Sequence, residues 1–221
     1  MKAPAISACR VHCRLTAATT TAVQWRPWGG AGSLSLVSRV SVVGVPSSAA
    51  SYAAGQDLAP AALRSAGLLE QLIASGLEVH DDGDLPHQAW SPDRDHPLAQ
   101  NAGQATMCVQ QLADRLHPLL ARGDIALVLG GNCTIALGVM AALWRLDAGT
   151  PGLLYVDRHY DLNTPESTTD GALDWMGLAH ALALPGCLDT LTGAFGRRPL
   201  LGAGSSGLAR GRAADGHPVG A

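Results

Sequence analysis

The chain has 221 residues, enough to bury one substantial α/β core, and length alone suggests one or two domains. Its composition is 47% hydrophobic and 15% charged, which excludes a disordered polar chain. A net charge of −3 lacks the electrostatic footprint of a nucleic-acid or anionic-membrane binder. No apolar run reaches the ~18 residues of a membrane-spanning helix, so neither a nucleic-acid nor a membrane partner is expected, and a cytoplasmic setting is. The five cysteines, an odd number without a secretory leader, argue against a disulfide framework.

Residues 1–35 read as an irregular N-terminal extension. No Asp or Glu precedes Asp57, while Lys2, Arg10, Arg14, Arg26 and Arg39 do, the composition of an organelle leader or of an irregular start. Cys9, His12 and Cys13 form a lone knuckle with no second Cys/His pair at zinc-finger spacing. From Leu36 to Val45 a β-branched run stops at Pro46 and predicts a buried strand. Pro60 opens a helical stretch with Leu63, Leu69, Leu72 and Ile73 at helical spacing, and Gly76 is its expected stop. A short strand is predicted over Leu77–His80 and a turn over Asp81–Pro86. Leu98–Ala121 reads as helix, kinked or restarted at Pro118.

Ile125–Leu129 is a continuous apolar run followed by Gly130 and Gly131. A helix is predicted from Ile135 to Leu146, with Thr134 as N-cap, then an apolar strand over Leu153–Val156 and a helix over Ala172–Leu184. Strands alternating with helices, and apolar throughout, predict a parallel sheet covered on both faces, a three-layer α/β/α sandwich. In such sheets chemistry sits beyond the carboxyl ends of the strands, here the loops Gly130–Thr134 and Asp157–Glu166. Residues 186–221 are rich in Gly, Ala and Arg and read as loop or disorder, leaving 36–185 as the folded domain.

Asp157-Arg158-His159-Tyr160-Asp161 directly follows a strand. In an extended segment Asp157, His159 and Asp161 face one side and Arg158 and Tyr160 the other. Two carboxylates and an imidazole suit a divalent cation of the Mn²⁺ type. The same acids could instead cap a helix or pair with arginines. Asp82/Asp84 and Asp93/Asp95 have D-x-D spacing, but they lie in upstream loops and read as turn and surface acids.

Asp157 to Glu166 resembles the ureohydrolase (arginase-type) signature D-A-H-x-D-x-N-T-P. Gly130-Gly131-Asn132-Cys133-Thr134 stands in the place of that family's G-G-D-H-S, and Gly171-Ala172-Leu173-Asp174-Trp175-Met176-Gly177 resembles its G-N-x-H-G-M-P. Gly44-Val45-Pro46, the Pro60 helix start and Gly83–Pro86 follow in the family's order. The resemblance implies a doubly wound α/β fold and hydrolysis of a guanidino or amidino C–N bond by a metal-bridging hydroxide. It implies a pair of Mn²⁺ ions, with Asp157 bridging both, His159 on one and Asp161 on the other. Asn163 is then implied to touch the substrate's polar tail. Homo-oligomerisation stays open, the family being commonly oligomeric.

The departures from the pattern matter as much. Cys133 replaces a metal-binding His; as a thiolate it is a soft ligand that brings in Zn²⁺ or Fe²⁺ as alternatives, and as a thiol it is a small buried residue under a turn. Asp174 replaces a proton-shuttling His, so it becomes a general acid–base or a further ligand. Asp170 stands where arginases bind an amino acid's carboxylate, which argues against L-arginine as the best substrate. Some ureohydrolase relatives also read G-G-N-C and L-D-x-M. The family's second metal arm, a later D-x-D, and its guanidinium-binding Glu have no counterpart, because only Asp189 and Asp215 follow Asp174 and no Glu does. The fold is therefore expected to be incomplete on its C-terminal side. Two readings follow: a metal-dependent hydrolase, or a non-catalytic, truncated metal-binding or interaction protein of the same fold.

Overall fold

The run Val40-Ser41-Val42-Val43-Gly44-Val45 forms β1 (Val40–Val45), and all six residues are buried. The computed structural model describes residues 39–146 and 151–202, together with the backbone of a last strand at 206–210. The Cys9–His12–Cys13 knuckle, the 1–35 extension and the first residues of the Leu36–Val45 run lie outside the described residues. The described residues belong to one compact unit, which begins at Leu36.

Side chains alternate across β1. Val40 and Val42 pack with Leu129 and with half-buried Leu68 and Leu69 on one face. Val43 and Val45 enter the main core with Leu112, Leu116 and Leu137 on the other. Parallel partners flank the strand, β2 (Val79–Asp84) and β3 (Ile125–Gly130), in the order β2-β1-β3. The helices α1 (Ala59–Ser65) and α2 (Leu68–Ala74) lie on the Leu68 side, and α3 (Ala102–Ala121) and α4 (Ile135–Trp144) on the other. This is the expected three-layer α/β/α arrangement.

β4 (Leu153–Asp157) pairs in parallel with β5 (Ser206–Arg210), from Leu153 against Ser206 to Asp157 against Arg210. Among the described residues the strands thus fall into two parallel ladders rather than one. The expectation of a strand buried on both faces fails for β4, where Leu154 and Val156 are 75% and 73% exposed. Leu153, Tyr155 and Asp157 on the alternate face are partly buried.

Several boundaries differ from the sequence reading for local reasons. β2 runs through the predicted Asp81–Asp84 turn, because Asp81 pairs with Val42 and, after a shift of register, Asp84 with Gly44, and Arg64 binds both carboxylates at 2.8 and 2.6 Å. The stretch after Pro60 is two helices, broken where Gly67 takes a left-handed φ of 83°. α3 is one helix through Pro118, which sits in the last turn, where its missing N–H removes a single bond. The predicted helix over Ala172–Leu184 starts as a 3₁₀ turn (Leu173–Met176) before α5 (Gly177–Leu182).

The reading of residues 186–221 as loop or disorder misses order in the described residues 186–202. This segment forms α6 (Asp189–Thr192), and Leu191, Leu200 and Leu201 are buried. Leu200 and Leu201 both donate backbone N–H bonds to Ala181 O at 3.0 Å, and the Arg197 guanidinium lies 3.4 Å from the centre of the Trp144 ring. Apolar residues this sparse carry no periodic signal, yet α6 packs against α3 and α5, and Leu200 and Leu201 join the main core.

Candidate functional site

Two strand ends build the site. β3 ends at Gly130, and the turn that follows depends on small residues: a Cβ at Gly131 would lie 2.2 Å from Ser47 O and 2.9 Å from Gln56 O. Asn132, buried in this turn, accepts the Thr134 N–H on its side-chain oxygen at 3.1 Å and donates to Ser47 O at 3.1 Å. Thr134 stands at the N-cap of α4 as expected, but its hydroxyl donates to Asn132 rather than capping the helix. The result aims Cys133 at the end of β4.

There the Cys133 Sγ lies 3.9 Å from Asp157 Oδ2. Asp161 completes the group: one ligand atom from each of Cys133, Asp157 and Asp161 lies within 4.8 Å of the others. Asp161 is 3% exposed and has a left-handed φ of 49°, a conformation that Asp tolerates better than most residues. Its Oδ2 accepts the Tyr155 hydroxyl. A cleft of about 340 Å³ opens beside the cluster, with Gln56, Gly131, Cys133, Tyr155 and Asp157 among its walls.

Burial, reinforced by Asp161, Asp174 and Asp157, pushes the Cys133 thiol above its ordinary pKa. Burial and the Asp157 charge likewise raise Asp161, against the opposing Tyr155 bond. A bound cation inverts this balance, because it stabilises each ionised form and deprotonates a coordinating thiol. The residues present therefore fit a divalent cation by donor type and convergence.

The other predicted site residues take different places. The backbone N–H of His159 donates to Asp157 Oδ1 at 2.9 Å, but its ring is half-exposed and meets the Trp175 ring edge-on at 5.1 Å. His159 Nδ1 is 3.7 Å from Asp157 Oδ1, outside the three-residue cluster. Asp174 is buried beneath the Gly131–Cys133 turn, accepting the Cys133 N–H at 2.9 Å, and Gln56, with its amide turned to satisfy its neighbours, donates to the second carboxylate oxygen at 3.2 Å. Burial pushes the Asp174 pKa up to about 6, against those hydrogen bonds. Asn163 accepts the Ser167 hydroxyl at 3.0 Å. Asp170 is exposed and accepts the Ala172 N–H at 3.0 Å and the Trp175 indole N–H at 3.1 Å.

Two site residues escape the sequence reading, Tyr155 and Gln56. Tyr155 was legible: it lies two residues before Asp157 on the same strand face. Gln56 comes from a distant 3₁₀ turn (Gln56–Leu58) and leaves no sequence signal.

A model described as "Arginase family" matches residues 38–196, most of the chain. The chain belongs to the arginase family. Human arginase-1 is 34% identical over 134 residues, which cover 61% of this chain and 41% of that protein. Bacillus subtilis arginase is 32% identical over 145 residues, 66% of this chain and 48% of that protein. The chain thus spans less than half the length of these two relatives. In structure it is similar to Bacillus caldovelox arginase, with a TM-score of 0.68 and 28% identity over 78% of this chain and 57% of that one. In this arginase-family chain Cys133 follows β3 and Asp157 ends β4, with 3.9 Å between their side chains.

Proposed function

We propose that this chain carries part of a metal-dependent arginase-type centre that hydrolyses a guanidino or amidino C–N bond. The observation that carries this reading is the convergence of Cys133, Asp157 and Asp161 within 4.8 Å at the ends of two parallel strands, in a chain of the arginase family. A divalent cation held by these residues supplies Lewis acidity and water of lowered pKa. Asp157 places a carboxyl group at the cleft, and the Tyr155 hydroxyl fixes that of Asp161 beside it. Asp174, with its pKa near 6, can hold or release a proton at neutral pH, while its bond to the Cys133 amide keeps the turn in place.

The substrate is a small guanidino or amidino compound. Asp170 places an exposed carboxylate by Trp175, and a carboxylate there repels the α-carboxylate of an amino acid. L-Arginine is then a poor substrate beside guanidino compounds without that group. Mn²⁺ is the metal the family resemblance suggests, and Cys133 adds Zn²⁺ and Fe²⁺. A cytoplasmic setting accords with the free thiols of Cys108, Cys133 and Cys187. Among the described residues no helix is long and apolar enough to cross a membrane. Homo-oligomerisation belongs to the same proposal, supported by the open Leu154 and Val156 side chains on β4.

One observation favours a second reading, a metal-binding protein without turnover: the His159 ring is set against Trp175, outside the Cys133–Asp157–Asp161 cluster. Urea and ammonia release by the full chain, reconstituted in turn with Mn²⁺, Zn²⁺ and Fe²⁺ and given a panel of guanidino compounds, separates the two. Metal-dependent release that disfavours L-arginine supports the hydrolase. Metal binding without release supports the second reading, and efficient urea release from L-arginine overturns the specificity argument.

A further inference from the structure

The donors gathered at the cleft differ in kind and number from those that hold a pair of hard cations. Sulfur comes from the turn after β3, one carboxylate from the end of β4 and one from the buried Asp161, all within 4.8 Å. Two ligands of one tetrahedral ion, with a metal–sulfur bond of ~2.3 Å and a metal–oxygen bond of ~2.0 Å, stand roughly 3.5 Å apart. The Cys133 Sγ–Asp157 Oδ2 separation of 3.9 Å is within a few tenths of an ångström of that span. Three protein ligands beside an open cleft make the arrangement of a single tetrahedral ion with one free position.

No second group of three ligand atoms is gathered there among the described residues. His159 Nδ1 lies 3.7 Å from Asp157 Oδ1, but its half-exposed ring is set edge-on to Trp175, 5.1 Å between centroids, outside the Cys133–Asp157–Asp161 cluster. Asp174 has one oxygen on the Cys133 amide and the other facing Gln56. Of the acids with D-x-D spacing, Asp84 is engaged on Arg64 at 2.6 Å and Asp93 on the Asn101 and His96 amides at 3.1 Å.

We propose that this site binds one thiophilic divalent cation through Cys133, Asp157 and Asp161, with Zn²⁺ or Co²⁺ preferred over Mn²⁺. The proposal rests on the reading of these residues as an arginase-type centre and narrows it to one ion. Sulfur is a soft donor, and Mn²⁺ is the weakest binder of the divalent first-row series, so replacing an imidazole by a thiolate widens the gap in favour of zinc.

Cobalt reports the sulfur ligand directly. Metal-free, reduced full chain is titrated anaerobically with Co²⁺ and followed by absorbance, with metal content measured after gel filtration. The expected result is one equivalent of cobalt, a near-ultraviolet sulfur-to-cobalt charge-transfer band, displacement by Zn²⁺, and no displacement by a roughly hundredfold excess of Mn²⁺. C133S should lose the band and weaken Zn²⁺ binding about tenfold or more. C133H should bind cobalt without the band, which distinguishes a lost ligand from a lost fold. Two equivalents of cobalt, absence of the band in the wild type, or Mn²⁺ competing on equal terms with Zn²⁺ would overturn the proposal. Urea release plays no part in this readout, so a chain without turnover still gives a clear answer.

Discussion

The Cys133 amide donates to Asp174 Oδ1 at 2.9 Å, and this bond ties the turn after β3 to the 3₁₀ turn that precedes α5. The Asp174 amide in turn donates to Ala50 O at 3.1 Å, so three distant segments meet at one residue. Removing a buried acceptor leaves its donor unsatisfied. Asp174→Ala should therefore cost about 1–3 kcal/mol in urea unfolding. Asp174→Asn keeps an acceptor for the Cys133 N–H and should cost less; equal losses for the two variants would show that the carboxamide oxygen does not substitute there.

Gly131 meets backbone, not flexible side chains. Its absent Cβ would fall 2.2 Å from Ser47 O and 2.9 Å from Gln56 O. Gly131→Ala should destabilise by about 1–3 kcal/mol, the usual cost of overpacking. It should also weaken cation binding, because the turn that aims Cys133 must move. Unchanged thermal unfolding and unchanged metal affinity would remove this turn from the account.

Asp57 gives the fold an acid-sensitive joint. The Ser48 hydroxyl first, then His87 at 2.6 Å, hold its pKa at about 2. A carboxylate whose pKa is lower folded than unfolded adds stability above its unfolded value, ~3.9, and loses it as pH falls towards the folded one. Asp57→Asn should therefore destabilise the protein at pH 6 and by progressively less between about pH 4 and pH 2. Denaturant midpoints for both proteins across that range check this, and parallel curves would contradict it.

At the opposite end of the ladder, half-buried Asp124 accepts from Arg39 at 3.0 Å, the Ser41 hydroxyl at 3.0 Å and Arg122 at 2.8 Å, all on Oδ2. Asp124→Ala leaves these donors without their shared acceptor beside the start of β3. A loss of about 2–3 kcal/mol is expected in chemical denaturation. The spectrum and metal binding of the folded variant should be unchanged, since Asp124 lies at the other end of the strand from Gly130.

The fold was readable wherever burial imposed a pattern. β3 and α4 lie within one or two residues of where apolar runs and turn residues put them, and β1 ends at Val45 as read, because each spans the core. β2 was misread at Asp81–Asp84: acidic residues look like a turn until Arg64, from another element, is seen to bind them. The segment after Gly186 was misread because Leu191, Leu200 and Leu201 dock one at a time. At the site, alternation put Asp157, His159 and Asp161 on one side; the ligand atoms of Asp157 and Asp161 do lie within 4.8 Å, whereas the His159 ring is set against Trp175. Once the chain leaves β4, and Asp161 adopts a left-handed φ of 49°, period-two reasoning no longer applies.

The central claim is that the ends of β3 and β4 hold a divalent cation through Asp161 and its neighbours. Asp161→Asn tests it with least disturbance, because Asn also tolerates a left-handed backbone and keeps an acceptor for the Tyr155 hydroxyl. Calorimetric titration of the metal-free, reduced chain with Zn²⁺ should show saturable binding in the wild type. The affinity should fall about tenfold or more in Asp161→Asn, with an unchanged circular dichroism spectrum. Equal affinities, or no saturable binding by the wild type, would contradict the account.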